Sequence, residues 1–294
     1  MNMNFTRKTR AYLSASLLFF GLAWISYTQD QPQKLTVQQI KKDLYLFAGD
    51  GSAKDAGNVA VYITGEGVIL VDDRFEYDHD NVVNAVKQLT SQPIKYVFNT
   101  HHHADHSGGN AKMFPLSVNI ISTAHARTNI LEHKQPGAPP LAPANLVFTD
   151  EESVFLGGKE VRAKFFGRAH TNGDALVYFP DLKVIHTGDL MANDGPLIDY
   201  AGGGSIVEWT KTLDKAIKEW QFDTVIPGHG DLTNKAGLQA FRDKVLTIRQ
   251  EVSDMVKGGK SQAEVAKFME TKYQWAPKST AQRWSVPGFM AELK

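Results

Sequence analysis

Apolar residues along this chain fall into short runs that end at polar or turn-forming positions. The segments IKYVF, ALVYF and DTVIP show this pattern, which is typical of buried β-strands. Two such runs flank Thr64–Gly67, and this predicts a hairpin, because glycine provides the backbone conformations that tight turns need. A second hairpin is predicted around Pro180-Asp181.

Other segments carry apolar residues at helical spacing. The pattern predicts helices over Tyr77–Leu89, Ser205–Trp220 and Asn234–Met255. Ser261 and Glu264 have the spacing of a capping box and predict the start of another helix. Strands in runs, with helices between and after them, indicate a layered α/β protein with mixed sheets.

The first residues have the pattern of a targeting segment. Three basic residues and no acid precede the uncharged run Ala11–Tyr27, which is followed by polar residues. We interpret residues 1–28 as a signal peptide and expect a periplasmic or secreted protein with no stable membrane insertion after cleavage. The apolar run is shorter than the roughly 20 residues that a spanning helix needs. An uncleaved inner-membrane anchor is the alternative.

Composition narrows the chemistry. The 32 basic and 32 acidic side chains balance and form no basic stripe, so a small-molecule substrate is expected rather than nucleic acid. The chain has no cysteine, which leaves nitrogen and oxygen as metal ligands and removes every thiol nucleophile. It also lacks the G-x-S-x-G motif of serine hydrolases.

The stretch NTHHHADHSGGN holds four of the ten histidines. If the preceding strand continues through it, His101 and His103 point to one side and His102 to the other. Asp105 and His106 follow where the chain turns into a helix, displaced from the first pair. Two imidazoles suit one cation, and the second pair suits another cation nearby.

Three further residues follow short strands beside glycines: His170 in GRAHTNGD, Asp189 in HTGD and His229 in PGHGD. The complete predicted ligand set is His101, His103 and His170 for one ion, Asp105, His106 and His229 for the other, and Asp189 between the two. Two zinc ions fit these nitrogen and oxygen donors, with iron or manganese as alternatives.

The remaining histidines receive simpler interpretations. His79, with acidic neighbours, is expected to be exposed, and His125 and His133 fit one helix; we interpret all three as structural or surface residues. His186 has two interpretations: it supports a metal ligand by hydrogen bonding, or it only packs in the interior. Ser107, beside the cluster, is expected to be a helix N-cap.

The motifs THHHADHSGG, GRAHTNGDALVYFP, HTGDL and PGHGD resemble those of the metallo-β-lactamase-fold superfamily, over about Leu44–Asp231. The resemblance implies an αβ/βα four-layer sandwich with two mixed β-sheets, spanning residues 29–294 as one hydrolase domain. It also implies two zinc ions on the ligands given above. Asp72, at the end of VILVDD, resembles a family position that supports the ligands from behind.

Asp189 stands where the best-known β-lactamase subclass has a cysteine. An aspartate there resembles glyoxalase II and lactonases instead, but the tail from Asn234 shows no recognisable glutathione site. Pro196–Ser205, PLIDYAGGGS, resembles a segment of exported hydrolases of this fold. Substrate contacts are therefore not assigned, and the loops over residues 47–57, 134–145 and 193–205 are the candidates.

The leading hypothesis is a zinc-dependent hydrolase in which a metal-bound hydroxide opens a carbonyl substrate such as a β-lactam. Asp105 would be the catalytic residue that orients the nucleophile or moves its proton. Lactone, ester or thioester hydrolysis is the alternative. An iron oxidoreductase of the same fold and a metal-binding protein without catalysis are the other hypotheses. Tyr200 and Asn193 are interpreted as plain loop residues, with contact to the substrate as the alternative.

Overall fold

The fold was analysed in a computed structural model. It describes residues 34–49, 56–132, 140–192 and 195–294. The predicted signal peptide, His133, Asn193 and parts of the 47–57 and 134–145 loops lie outside the described residues. All described residues belong to one compact unit, Gln31–Lys294. Within these ranges no helix combines the length and apolarity needed to cross a bilayer.

The first sheet has seven strands in chain order. Its first four strands pair antiparallel and the last four pair parallel. The strands are β1 (Thr36–Lys41), β2 (Leu44–Ala48), β3 (Val59–Ile63), β4 (Val68–Val71), β5 (Ile94–Phe98), β6 (Asn119–Thr123) and β7 (Leu146–Phe148).

The second sheet has six strands in the order β13-β12-β11-β10-β9-β8. Strands β11 and β12 are parallel, and the other neighbours are antiparallel. The strands are β8 (Glu151–Leu156), β9 (Lys159–Lys164), β10 (Leu176–Phe179), β11 (Val184–His186), β12 (Thr224–Ile226) and β13 (Thr233–Asn234).

The two sheets pack face to face through one apolar layer. Tyr62 and Phe98 of the first sheet are buried in the same cluster as Phe179 and Ile226 of the second. The rings of Tyr62 and Phe179 meet edge to face, with centroids 5.4 Å apart. This layer is the innermost part of the sandwich, because both sheets also carry buried residues on their outer faces.

Helices cover both outer faces. Val82 and Val86 pack in one outer cluster, and Trp209 and Val245 pack in the other. The helices are α1 (His79–Leu89), α2 (Ala104–Ser107), α3 (Asn110–Met113), α4 (Ala124–Glu132), α5 (Ile206–Glu219), α6 (Lys235–Lys257), α7 (Gln262–Tyr273) and α8 (Thr280–Glu292). The predicted αβ/βα sandwich with two mixed sheets is confirmed.

Local predictions hold with small shifts of the ends. Both predicted hairpins form, as the β3–β4 and β10–β11 pairs. The first predicted helix begins at His79, because residues Glu76–Asp78 form a separate 3-10 turn. The capping box is present, with Ser261 accepting from the Glu264 amide and the Glu264 side chain accepting from the Ser261 amide.

The N-cap prediction for Ser107 is wrong. Ser107 is the last residue of α2, and its hydroxyl donates back to the carbonyl oxygens of His102 and His103 at 3.2 and 3.0 Å. A serine inside a helix can satisfy its hydroxyl on a carbonyl of the preceding turn, so a serine after a polar run does not by itself mark a helix start.

Phe179 and Phe155 lie on the same sheet but differ in burial, which gives a matched test of the inner layer. Phe179→Ala should lower the free energy of unfolding by about 3–5 kcal/mol, since it removes a ring that is 1% exposed. Phe155→Ala should change it by less than about 0.5 kcal/mol, because that ring is 72% exposed. Urea unfolding measures both, and equal losses would contradict this account of the core.

Candidate metal centre

The candidate ligands come from loops that follow strands of both sheets. In the first sheet β4 and β5 run parallel, so the loops after them leave at one edge. In the second sheet β11 and β12 also run parallel, and Asp189 and His229 follow them. The Gly228 amide donates to the Gly188 carbonyl oxygen at 2.8 Å, and the Asn58 amide donates to the Gly228 carbonyl oxygen at 2.8 Å. These bonds join the loops of the two sheets at the site.

Three imidazole nitrogens converge in the first cluster. His103 Nδ1 lies 3.1 Å from His101 Nε2 and 3.0 Å from His170 Nε2. Ligands at 2.0–2.1 Å around a tetrahedral zinc are separated by roughly 3.3 Å, so this spacing is near that of a coordination sphere. Asp189 Oδ2 lies 3.7 Å from His170 Nε2 and completes a group that could hold an ion.

A second cluster contains two imidazoles and a carboxylate. His106 Nε2 and His229 Nε2 are 3.2 Å apart, and Asp105 Oδ2 lies 3.5 and 3.2 Å from them. Asp189 Oδ1 lies 3.3 Å from His106 Nε2 and 3.5 Å from His229 Nε2. The structure thus brings all seven predicted ligand residues together in two adjacent groups.

Asp189 places one oxygen against each cluster. Its Oδ1 is buried and makes no hydrogen bond of acceptable geometry within the described part of the chain. A buried carboxylate oxygen without a partner is costly, and a cation beside it removes that cost. The orphaned oxygen, together with the nitrogen and oxygen donors around it, fits a zinc centre.

The two clusters differ in charge. Burial, together with the neighbouring imidazoles, lowers the pKa of His170 to about 4 and that of His101 well below its usual value. These rings are neutral near pH 7, with lone pairs available to a cation. Burial also opposes the charged form of His106, but the carboxylates of Asp105 and Asp189 raise its pKa well above the usual value. Metal binding at the second cluster must therefore displace protons.

Asp72 holds His106 from behind. Its Oδ2 accepts from His106 Nδ1 at 2.8 Å and from the Thr100 hydroxyl at 2.9 Å, and its Oδ1 accepts from the Thr100 amide at 2.7 Å. Because a carboxylate can only accept, Asp72 retains the Nδ1 proton of His106, and the proton that a metal would displace is the one on Nε2, which faces the cluster. Asp72 therefore contacts His106 through the ring nitrogen that faces away from the second cluster.

His186 supports a loop rather than a ligand. Its Nε2 donates to the Asn58 carbonyl oxygen at 3.0 Å, and its Nδ1 accepts from the Gly188 amide at 3.1 Å. Gly188 directly precedes Asp189 and has φ +50°, a conformation that favours glycine. Of the two interpretations of this residue, the geometry favours packing. The same contact holds the backbone amide of Gly188, the residue before Asp189.

Strand β5 does not continue through His101–His103, which corrects the premise of the alternation expected there. Strand β5 ends at Phe98, and the three histidines lie in the loop before α2. His102 lies outside the first cluster, and its Nε2 is 3.5 Å from Asp199 Oδ2, which is also 3.0 Å from His103 Nε2. The loop conformation, rather than strand alternation, brings the ligand atoms together.

Two residues near the site were missed by the sequence analysis. Asp199 lies in the PLIDYAGGGS segment that resembled other hydrolases, but nothing in its spacing relates it to His103. Trp284, on α8, has its ring centroid 5.2 Å from that of His103. The tryptophan that precedes it along the chain, Trp275, is instead a buried core residue, with 5% of its surface exposed.

The other singled-out residues lie apart from the clusters. His79 is buried, which corrects the expectation of an exposed residue, because α1 packs it against the domain. His125 is exposed on α4. Tyr200 donates to Glu292 at 2.7 Å and packs against Phe289.

A family model described as the metallo-beta-lactamase superfamily matches residues 53–229, which is more than half of the chain. The chain belongs to this superfamily. The type 2 metallo-beta-lactamase of Elizabethkingia meningoseptica is 21% identical over 243 residues, covering 81% of this chain and 95% of that protein. A hydroxyacylglutathione hydrolase of Crocosphaera subtropica is 34% identical over 134 residues, covering 44% of this chain and 45% of that protein.

Solved structures share the fold. The metallo-beta-lactamase from Pontibacter korlensis superposes with a TM-score of 0.64 at 18% identity, covering 72% of this chain and 99% of that chain. At this level of identity the match concerns the fold alone.

Gly228 tests the close packing around Asp189. A Cβ at this position would lie 2.0 Å from Asp189 Oδ1 and 2.6 Å from the carbonyl carbon of Gly188, so Gly228→Ala must displace the carboxylate and the backbone that carries it. We expect the variant to fold and to lose bound zinc, measured by elemental analysis after dialysis. Gly65→Ala is the control, because its Cβ would meet nothing within 4 Å. Equal zinc content in both variants would contradict the role of Asp189.

Asp174 gives a pH prediction for the loop that carries His170. Burial raises its pKa to about 7, although hydrogen bonds from Thr171 oppose the rise. The folded state then keeps a proton that the unfolded state loses above about pH 4, so this residue's contribution to stability falls as pH rises from about 4 to about 7.

Asp174→Asn should abolish that fall, since the amide resembles the neutral acid. The measurement is urea unfolding of the metal-free proteins at pH 5 and pH 8. The variant's stability relative to the wild type should be higher at pH 8 than at pH 5. A difference in stability that does not change with pH would contradict the raised pKa of Asp174.

Proposed function

We propose that this chain is a dinuclear zinc hydrolase that opens a strained or activated carbonyl substrate, with a β-lactam as the leading class. The observation that carries the proposal is Asp189, whose two oxygens face two separate groups of ligand atoms. A site for one metal ion would not need both carboxylate oxygens to face ligand groups. The proposed ligands are His101, His103 and His170 for one ion, Asp105, His106 and His229 for the other, and Asp189 for both.

Bound zinc would supply Lewis acidity to the carbonyl oxygen and would lower the pKa of water. The chain's own residues then organise the reaction. Asp72 orients His106, and the glycines at 57 and 228 leave room for ligand side chains that a Cβ would strike. The buried position of the first cluster excludes bulk water, which strengthens electrostatic interactions there.

Asp105 is the proposed catalytic residue. Its side chain is 23% exposed, compared with 8% for Asp189, so it is the carboxylate of the centre that a substrate can reach more easily. It can accept the proton of the attacking water and return it to the leaving atom. For a β-lactam the carbon–nitrogen bond breaks and the ring nitrogen receives that proton.

The relatives support two substrate classes. Similarity to a named β-lactamase extends over 95% of that protein, which favours β-lactams. The sequence identity to the hydroxyacylglutathione hydrolase is higher, at 34% compared with 21%, but the matched region spans less than half of that protein. An aspartate at position 189 favours this second class, thioester hydrolysis, in view of the sequence resemblance. We also propose residues 1–28 as the signal peptide of an exported protein and 29–294 as the mature domain.

The test is turnover of a chromogenic cephalosporin and of a hydroxyacyl thioester by zinc-loaded protein. Chelator should abolish turnover, and zinc should restore it. His103→Ala and Asp189→Asn should lose more than about 100-fold in kcat/KM. Residues that hydrogen-bond to a metal ligand typically cost 10–100-fold when they are replaced, and a change to the ligand itself should cost more.

His125→Ala is the matched control, since that exposed histidine touches neither cluster. It should retain full activity. Chelator-resistant turnover, or full activity in Asp189→Asn, would overturn the proposal. Turnover of the thioester alone would replace the β-lactam with the second substrate class.

A further inference from the structure

Asp199 lies behind His103, on the side away from the first cluster. Its Oδ2 accepts from His103 Nε2 at 3.0 Å, and its Oδ1 accepts from the Gly202 amide at 2.9 Å. The carboxylate is almost buried, with 10% of its side chain exposed. His103 meanwhile presents Nδ1 to the nitrogens of His101 and His170. One ring nitrogen of His103 therefore faces a carboxylate and the other faces the candidate metal.

This arrangement selects a tautomer. A neutral imidazole carries its proton on one nitrogen only, and a carboxylate can only accept, so the proton of His103 belongs on Nε2. The Nδ1 lone pair is then free for a cation. An acceptor behind a histidine ligand fixes the ring orientation and makes the ligand more basic.

His102 supports the same carboxylate. The Asn129 side-chain nitrogen donates to the Gly202 carbonyl oxygen at 3.2 Å and to Asn172 Oδ1 at 2.9 Å, which fixes the orientation of its amide. That nitrogen also lies 3.4 Å from His102 Nδ1. An amide nitrogen can donate but not accept, so a proton on His102 Nδ1 would face another donor. The proton of His102 therefore belongs on Nε2, which lies 3.5 Å from Asp199 Oδ2. Two imidazole N–H groups thus face one carboxylate oxygen.

Helix α8 holds both neighbours of Asp199. The Ile198 amide donates to the Ser285 hydroxyl at 3.0 Å, and Tyr200 donates to Glu292 at 2.7 Å. Glu292 also accepts from the Ser205 hydroxyl and from the Ile206 amide. The helix lies beyond residues 53–229, the part matched by the family model.

We propose that Asp199 is a positioning residue of the metal centre, which holds His103 in the tautomer that presents Nδ1 to the metal, and that α8 fixes Asp199 in place. The proposal rests on the metal site of the proposed function but not on its substrate. His102 is then part of the support for Asp199 rather than an outlying member of the histidine cluster.

The same atoms could instead bind a third ion, since His102, His103 and Asp199 also converge. Such an ion would need the Nε2 of His103 without its proton while Nδ1 binds another metal. The hydrogen-bonded arrangement needs no such deprotonation. Metal content separates the two: two zinc ions per chain agree with positioning, and a third ion lost in Asp199→Asn would overturn it.

The first test uses the wild-type protein. In a ¹⁵N-labelled, zinc-loaded sample, long-range ¹H–¹⁵N spectra should show His103 with a protonated Nε2 and a metal-bound Nδ1. His103→Gln assigns the signal by its loss. A proton on Nδ1, or metal on Nε2, would overturn the proposal whether or not the protein hydrolyses any substrate.

The second test uses Asp199→Asn. The amide keeps the shape, and its oxygen can still accept from Gly202, but its nitrogen would face His103 Nε2 as a second donor. We expect a 10–100-fold loss of zinc affinity at one of the two sites, measured by competition with a chromogenic chelator. Unchanged affinity at both sites would show that Asp199 is only a loop residue.

Two further variants complete the design. Glu251→Gln is the matched carboxylate-to-amide control, because Glu251 accepts from Tyr273 and contacts no histidine ring in the described structure; its zinc affinity should equal that of the wild type. Glu292→Gln should reduce affinity in the same direction as Asp199→Asn but less. No change there, with a loss in Asp199→Asn, would overturn the part assigned to α8. Thermal unfolding establishes that each variant is folded.

Discussion

The centre of this molecule depends on one carboxylate that must serve two groups of nitrogens. Asp189 is buried, its Oδ1 makes no satisfactory hydrogen bond within the described chain, and ring nitrogens lie 3.3 and 3.7 Å from its two oxygens. Such a group is unfavourable in a protein interior unless positive charge accompanies it. The protonated second cluster supplies that charge when no metal is bound, and cations would supply it in the proposed enzyme. The geometry of the surrounding loops follows from this requirement.

The two clusters are supported in a similar way from opposite sides. Asp72 accepts from His106 Nδ1, which leaves Nε2 for the cluster, and Asp199 accepts from His103 Nε2, which leaves Nδ1. Each carboxylate is anchored by a backbone amide, from Thr100 and Gly202 respectively. The supports differ in origin, since Asp72 directly follows strand β4 of the sandwich while the Asp199 loop is held by a helix on the outside. Stability of that outer helix is therefore coupled to the geometry of the first cluster.

The sequence was informative where chemistry is local. Strands, hairpins and capping boxes depend on residues near one another, and the spacing from His101 to His106 places four imidazole rings and a carboxylate within six consecutive residues. Asp199 could not be found in this way, because it lies 96 residues from His103 and its loop is fixed by Ser285, which is 87 residues beyond Ile198. Strand alternation paired His101 with His103, and these two rings do lie together, although β5 ends at Phe98 and the strand does not reach them. The loop conformation that replaces it depends on tertiary hydrogen bonds that periodicity does not encode.

The identity of residue 189 links the fold to the choice of reaction. A thiolate offers one donor atom, whereas a carboxylate offers two oxygens, each of which can bind a different ion. In this chain the distances from Asp189 to His106 and His170 show that both are within reach. A shared ligand fixes the separation of the two clusters, and so constrains where a carbonyl oxygen and a leaving atom can lie. In the proposed enzyme the substrate class would then depend on the loops around the two clusters, including the segment that α8 holds beside His103.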